Sequence, residues 1–514
     1  MKLNYKRTIL VGFAFFLISA FWQAYDATIP VILTNKFGMS QTWSGVVMAL
    51  DNILAVFMLP IFGALSDKCR SRHGRRTPFI TIGTIVASAM IVCLAFADNA
   101  QYKNIENVAK IDDPAALQIV YEAKADEELM TPDGTRFVLE DKFTAEEFTT
   151  IKSTDKYENG EENLYTNYVV PARQAYIGDV TAENPANLFI FLAFLLAVLI
   201  AMALFRSPAV ALMPDVTIKP LRSKGNAIIN LMGTAGGIIV LVLGMVFATS
   251  AVKNSFMNYF TFYGVIAALM LTALTIFLLT VREVKWAGEQ REESLRLGLE
   301  ETKEDTSEKR GLSKSEKISL IFILASIAFW YIGYNAITSK YSIYAQRVLE
   351  MDYNSTLLIA QAAAIISYLP AGIVASKIGR KKTILAGVLM LASAFLGASF
   401  MRAGSPVLLM NVFFVLAGVA WATINVNSFP MVVEMCSGGD VGKYTGFYYT
   451  ASMAAQIVTP MLSGLLMDRF GMTTLFPYAT VFVSLAFLTM LMVRHGDSKP
   501  EAKRDALEAL DIED

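Results

Sequence analysis

Twelve stretches of this chain run for about twenty residues with almost no charge, and they fall into two sets of six parted by a polar segment. About twenty apolar residues in helical form, each rising ~1.5 Å, match the ~30 Å hydrocarbon layer of a bilayer. The first set lies near 8–33, 44–66, 77–97, 187–213, 225–250 and 258–281; the second lies near 317–339, 354–376, 383–401, 406–432, 443–467 and 473–493. These runs are apolar on every side and lack the period of two that a membrane barrel needs, so they read as helices. Charged residues make up 17% of the 514 positions, against about 25% in soluble domains. The expected fold class is an all-α membrane protein with twelve transmembrane helices in two six-helix halves.

The same arithmetic excludes several classes. A net charge of −1 leaves no broad basic face for nucleic acid. Three cysteines (Cys69, Cys93, Cys436) and two histidines (His73, His495) are too few for a disulfide framework or a four-ligand zinc site. No cofactor or metal is expected, and no nucleophile–base pair suggests an enzyme. Lys2, Lys6 and Arg7 precede the first run as they would in a signal peptide, but the run continues through Trp22, Tyr25 and Asp26 to Pro30 with no small-residue cleavage site, so it reads as helix 1.

Positive charge sets the expected orientation. Lys68, Arg70, Arg72, Arg75 and Arg76 crowd the loop after span 2; Lys377, Arg380, Lys381 and Lys382 crowd the loop after span 8; Lys219, Arg222 and Lys224 lie between spans 4 and 5. Short loops rich in Lys and Arg stay in the cytoplasm, which puts both termini there too. The simple loops point to a multi-pass protein of a bacterial inner (plasma) membrane.

The chain divides into helices 1–3 (1–97), an acidic insert (98–186), helices 4–6 (187–281), a charged linker (282–316), helices 7–12 (317–493) and a tail (494–514). Orientation places the insert outside, where it reads as a hydrophilic cap, partly folded and without a site of its own. The linker reads as cytoplasmic, with room for an amphipathic helix. The two halves also resemble each other. Phe21-Trp22 returns as Phe329-Trp330 and Tyr25-Asp26-Ala27 as Tyr334-Asn335-Ala336, with one residue of slip between the matches, and the glycine and basic loop from Gly63 to Arg76 is echoed from Gly372 through Gly379, Arg380 and Lys381. Parallel repeats of this kind build transporters that bind between their halves.

The loop Gly63-Ala-Leu-Ser-Asp67 through Gly74-Arg75-Arg76-Thr-Pro78-Phe79 resembles the signature loop between helices 2 and 3 of the major facilitator superfamily. Its long spacing between the aspartate and the Gly-Arg pair, followed by Pro-Phe, is similar to the branch of sucrose transporters and glycoside-pentoside-hexuronide cation symporters. Met213-Pro214-Asp215-Val216 with Arg222, and Gly442-Lys443-Tyr444-Thr445-Gly446 entering span 11, support it. The resemblance implies the superfamily fold, alternating access and a monomer that carries a small molecule, a sugar by preference. Melibiose-type members place paired aspartates where this chain has Ala55 and Leu59, which argues against sodium coupling of that kind.

Charges within spans are costly and mark function, and the short set is Asp26, Asp51 and Arg206. Asp26 and Asp51 lie at similar depth on antiparallel helices, a pair suited to sharing one proton. Arg206 can pair with substrate, with these carboxylates or with helix-end carbonyls. Sugar sites need aromatic faces and planar polar groups in an apolar cavity. Span 1 offers Trp22, Gln23 and Tyr25; span 7 offers Trp330, Tyr331, Tyr334 and Asn335; Asn230, Gln361, Asn425, Tyr449 and Gln456 add polar groups from spans 5, 8, 10 and 11. The gating set is Gly63, Asp67, Arg75, Arg76, Asp215, Arg222, Gly379 and Arg380. By resemblance, Asp67 pairs with loop arginines and sits against a neighbouring helix N-terminus; the second loop lacks the aspartate and predicts a weaker latch.

These features predict proton-coupled import of a sugar or glycoside, a disaccharide by preference. Two alternatives stay open: an exporter or exchanger of another amphipathic small molecule, with fewer amides in its cavity, or a membrane receptor whose insert binds a partner.

Overall fold

The computed structural model describes residues 3–154, 163–218, 221–297, 313–433, 435 and 441–496. Cys436, the acidic pair Glu161-Glu162, linker residues 298–312 and tail residues 497–514 lie outside the described residues. The first three long helices are α1 (Tyr5–Asn35), α2 (Gln41–Lys68) and α3 (Thr77–Asn104). Asn4 and Ser40 cap α1 and α2 by accepting from Arg7 N and Trp43 N, and Pro78 opens α3 where its missing N–H is harmless. The insert follows as α4 (Glu106–Ala109), α5 (Pro114–Lys124), an antiparallel hairpin of β1 (Glu128–Met130) and β2 (Arg136–Val138) with Leu129 opposite Phe137, α6 (Ala145–Thr150) and α7 (Val170–Glu183). The first half closes with α8 (Ala186–Val216), α9 (Arg222–Val246) and α10 (Phe260–Thr280), and the linker forms α11 (Glu283–Arg296).

The second half is α12 (Lys314–Tyr344), α13 (Tyr353–Ile378), α14 (Arg380–Ser399), α15 (Val407–Val433), α16 (Val441–Phe470) and α17 (Leu475–Leu491). Among the described residues, eleven helices are long and apolar enough to cross a membrane; α13, 26 residues long, completes the twelve. The packing repeats between halves. Helix α1 lies on α9 and α10 as α12 lies on α16 and α17, and α3 lies on α8 and α10 as α14 lies on α15 and α17. Each half has its own apolar core, and the insert has a third, built on Leu117, Val120, Phe137 and Phe148 with Phe256 from the α9–α10 connection. The insert is thus a folded layer.

That layer changes where helices stop. Helices α1, α3 and α12 run past the points where apolarity fades, to Asn35, Asn104 and Tyr344. Polar residues there are buried by protein. Lys36 and Asp98 are both fully buried and meet at 2.7 Å, and Lys340 is fully buried inside α12. These three charges lie just beyond spans 8–33, 77–97 and 317–339, at span ends as expected, and they are buried because the bundle continues into the insert layer, where a charge can be enclosed and paired.

Across the seam, α2 packs on α16, α9 on α13 and α1 on α12. Gly45 and Gly464 make the α2–α16 approach possible, because a Cβ on either would run into the backbone carbonyl of Pro460 or Gln41.

Candidate functional site

Midway along the bundle, α1 presents Trp22, Gln23, Tyr25 and Asp26. Trp22 and Asp26 are half-buried, whereas Phe21 is in the core. The Trp22 and Tyr25 rings meet edge to face at 5.4 Å, and the Arg206 guanidinium from α8 lies 5.8 Å from the Trp22 ring centre. Asp51 of α2, held by Asn52 at 2.8 Å, is within electrostatic range of both Asp26 and Arg206. Two carboxylates and one guanidinium therefore share a single neighbourhood beside an aromatic face. Gln361 of α13 donates to Gln23 at 2.6 Å, which joins the halves at this depth. Trp22 Nε1, Tyr25 OH and Gln361 Oε1 are buried and have no partner among the described residues. They are groups on which a hydroxyl-rich molecule can be held.

The other half answers with a second aromatic set. Tyr334 of α12 stacks on Trp421 of α15 at 3.6 Å and 6°, and Tyr331 meets the same indole edge-on at 5.4 Å. Tyr331 OH and Tyr448 OH are 3.2 Å apart, Tyr449 lies beside Tyr448, and Asn335 Nδ2 has no partner among the described residues. Asn425, one turn beyond Trp421, is half-buried, as are Gln456 on α16 and Asn230 on α9.

Trp330 is a correction: it is fully buried in the core of the second half. Aligning Phe-Trp with Phe-Trp put it one residue out of register. The true step is 309 positions, the same as from Gly63 to Gly372, and it pairs Phe21 with Trp330 in the cores and Trp22 with Tyr331 at the seam. A one-residue slip turns a helical side chain by about 100°, enough to exchange seam for core. Trp421 was missed altogether. Its signal was available: one of five tryptophans, mid-span, one turn before Asn425.

At the end bearing the basic loops, Arg76 bonds Asp67 at 2.5 Å and Asp215 at 2.8 Å, and Arg75 bonds Asp215 through two nitrogens. The Asp215 carboxylate holds the Arg75 guanidinium above its ordinary pKa. The helix N-terminus expected to face Asp67 is served instead by Glu283 of α11. It accepts from the backbone N–H groups of Arg75, Arg76 and Thr77 at 2.7–2.9 Å, its carboxylate lying against Gly74, which turns at φ +112°. Gly63 lies beside Ser207, where α2 packs on α8. Arg222 donates to Thr217 O at 3.3 Å. In the second loop Gly379 turns at φ +94° ahead of Arg380, which starts α14, and Lys381 binds the carbonyls of Leu491 and Val493.

The opposite end, roofed by the insert, holds direct contacts between halves. Asp468 of α16 accepts from Gln41 N and Thr42 N at 2.8 and 2.7 Å, capping the N-terminus of α2. Lys340 donates to Gln41 O at 2.6 Å, Asp352 accepts from Ser250 at 2.6 Å, and Tyr353 donates to Thr249 at 2.8 Å. The insert touches both halves: Gln174 Nε2 donates to Met39 O of the first half at 2.8 Å, while on the second half Thr473 N donates to Pro132 O at 3.2 Å and Glu350 accepts from Asn163 and Thr166. Burial raises the Glu350 carboxyl above the ordinary glutamate pKa. None of these partners, far apart in sequence, was foreseen.

The model for the Major Facilitator Superfamily matches residues 175–367 and 356–511, and that for MFS/sugar transport protein matches residues 10–105. A sucrose transport protein of Arabidopsis thaliana is 27% identical over 100 residues, 20% of each chain, and an MFS-type transporter of Metarhizium rileyi is 29% identical over 155 residues, 30% of this chain and 32% of that one. The matches thus span a third or less of these relatives. Among solved structures, an inward-open xylose transporter from E. coli superposes with a TM-score of 0.57 at 15% identity, covering 99% of both chains. A nucleoside transporter superposes with a TM-score of 0.52 at 15% identity, over 95% of this chain and 100% of the other. These are transporters, not enzymes, and the family model covers the greater part of the chain: the chain belongs to the Major Facilitator Superfamily.

Proposed function

We propose that the protein is a secondary carrier that imports a sugar or glycoside together with protons by alternating access. One observation carries this reading: α1 and α12, equivalent helices of the repeat, bring matching sets of aromatic and amide or carboxylate groups to mid-length, where Gln23 meets Gln361 across the seam. Aromatic faces suit the C–H surfaces of a sugar, and orphaned buried donors suit its hydroxyls. In the relatives, the matched names are those of sucrose transport and MFS-type transport proteins.

The basic loops face the cytoplasm and the insert faces outside in this reading, by the retention of positive loops. The conformation is then closed to the outside, since contacts between halves gather beneath the insert. Asp26 and Asp51 exchange the coupling proton, and Arg206 answers their charge. The basic-end set around Asp67, Arg76 and Asp215 keeps the first half rigid while it rocks.

Purified protein in liposomes, given labelled mono- and disaccharides with and without an inward proton gradient, tests this. Gradient-driven accumulation is expected, and Asp26→Asn should abolish accumulation while leaving exchange of substrate across a closed cycle. No uptake of any sugar under either gradient would overturn the reading.

A further inference from the structure

Where α7, the end of α12 and the α9–α10 connection meet, a small cavity of about 30 Å³ opens at the seam. Its walls come from three parts of the chain: Tyr165 and Arg173 from the insert, Phe256 from the first half, Gln346 and Arg347 from the second. Arg173 is 2% exposed and Arg347 7%. Arg173 donates through Nη1 to Tyr165 OH at 2.8 Å, and its guanidinium lies 5.8 Å from the ring centres of both Tyr165 and Phe256. Arg347 donates through Nη2 to Asn35 Oδ1 at 2.7 Å and through Nη1 to Gln174. Arg173 Nε and Nη2, Arg347 Nε and Gln346 Nε2 are buried without a partner among the described residues.

No carboxylate among the described residues pairs with either arginine. Glu350 is engaged by Asn163 and Thr166, Asp352 by Ser250 and Asp112 by Ser153. A guanidinium stays charged wherever it is put, and a buried charge without a counterion costs several kcal/mol. Two of them lining one cavity, with three of their nitrogens and Gln346 Nε2 unspent, form a receptor for planar or tetrahedral oxygens.

We infer that this cavity binds a small oxyanion, a carboxylate or a phosphoryl group, and that the bound anion clamps the insert end shut. The clamp follows from construction: parting the halves here pulls Arg347 from Arg173 and dismantles the site, so a ligand that binds only the assembled form favours closure. The binding site stands apart from the transport reading, whereas its control of a transport cycle rests on it.

The test uses the full chain in detergent, titrated with sodium acetate or sodium phosphate against sodium chloride at fixed ionic strength, with thermal unfolding as readout. A saturable rise in Tm with acetate or phosphate is expected, with affinity at least about tenfold weaker in Arg173→Gln and Arg347→Gln. Gln346→Leu, which removes a donor without unburying a charge, should also weaken it and guards against arginine variants that do not fold. Arg136→Gln, on the exposed hairpin, should bind as the parent does. Rises that never saturate, or that are equal in all variants, would overturn the site. The same series in nanodiscs of phosphatidylcholine with or without phosphatidylglycerol, free of added oxyanion, separates sources: arginine-dependent stabilisation by phosphatidylglycerol would make the phosphoryl a lipid headgroup. Labelling of a cysteine at Thr34, buried under the insert end, should fall as the anion binds; binding with unchanged labelling would overturn the clamp while leaving the site. These readouts need no transported substrate, so a failed uptake assay leaves them unaffected.

Discussion

The two ends of the bundle are closed by different chemistry. At the basic end, ion pairs and backbone caps link α2, α3, α8 and α11, all covalently continuous with the first half. At the insert end, hydrogen bonds to single carboxylates, carbonyls and hydroxyls link one half to the other. Multiple charge-assisted bonds within one body make that body rigid. Bonds across a seam, each satisfiable by water on parting, make a contact that can be broken and remade. The first set therefore contributes to stability, and in the proposed alternating-access cycle the second sets the balance between conformations.

Substitutions that act on one end alone break or sharpen this contrast. The largest effect is expected from Gly464→Val, because the new side chain meets the Gln41 backbone, which cannot yield as a flexible side chain can. An overpacking cost of about 3 kcal/mol is about a hundredfold in the closed population. Labelling of a cysteine at Thr34, in a background without the native cysteines, should rise accordingly; unchanged labelling would mean that α2 and α16 do not form the closing contact. Glu283→Gln comes next, at about 1–3 kcal/mol of stability, since its carboxylate gathers three backbone N–H groups. Thermal unfolding should register this loss while the Thr34 labelling stays at the parental rate. Asp468→Asn should cost about 1 kcal/mol of capping, about fivefold in labelling, with little change in Tm. If Glu283→Gln shifted labelling as much as Asp468→Asn, the division of labour between ends would be wrong.

Much of this was legible in the sequence, and the rest was hidden for identifiable reasons. The spans are legible because a bilayer demands long apolar helices, and the halves because glycine and arginine recur in register from Gly63 and Gly372. Tyr331 and Tyr334 could be read from that register, but Trp330 was misread because two similar dipeptides one residue apart outweighed it. Lys36, Asp98 and Lys340 were illegible as buried groups, since nothing local announces that the insert will roof them. Asp468 and Glu283 were illegible for another reason: their partners lie 427 and 208 positions away. Folding, not spacing, unites them.

The Lys36–Asp98 pair bears on how the chain is made. Neither residue tolerates burial alone, and a lone charge in such a site costs several kcal/mol. Lys36 leaves the ribosome 62 residues ahead of Asp98, with all of α2 in between. The end of α1 cannot settle into its final place until α3 has been delivered. Membrane integration of the first three helices is therefore a cooperative event, and the insert that follows them closes over a joint already made.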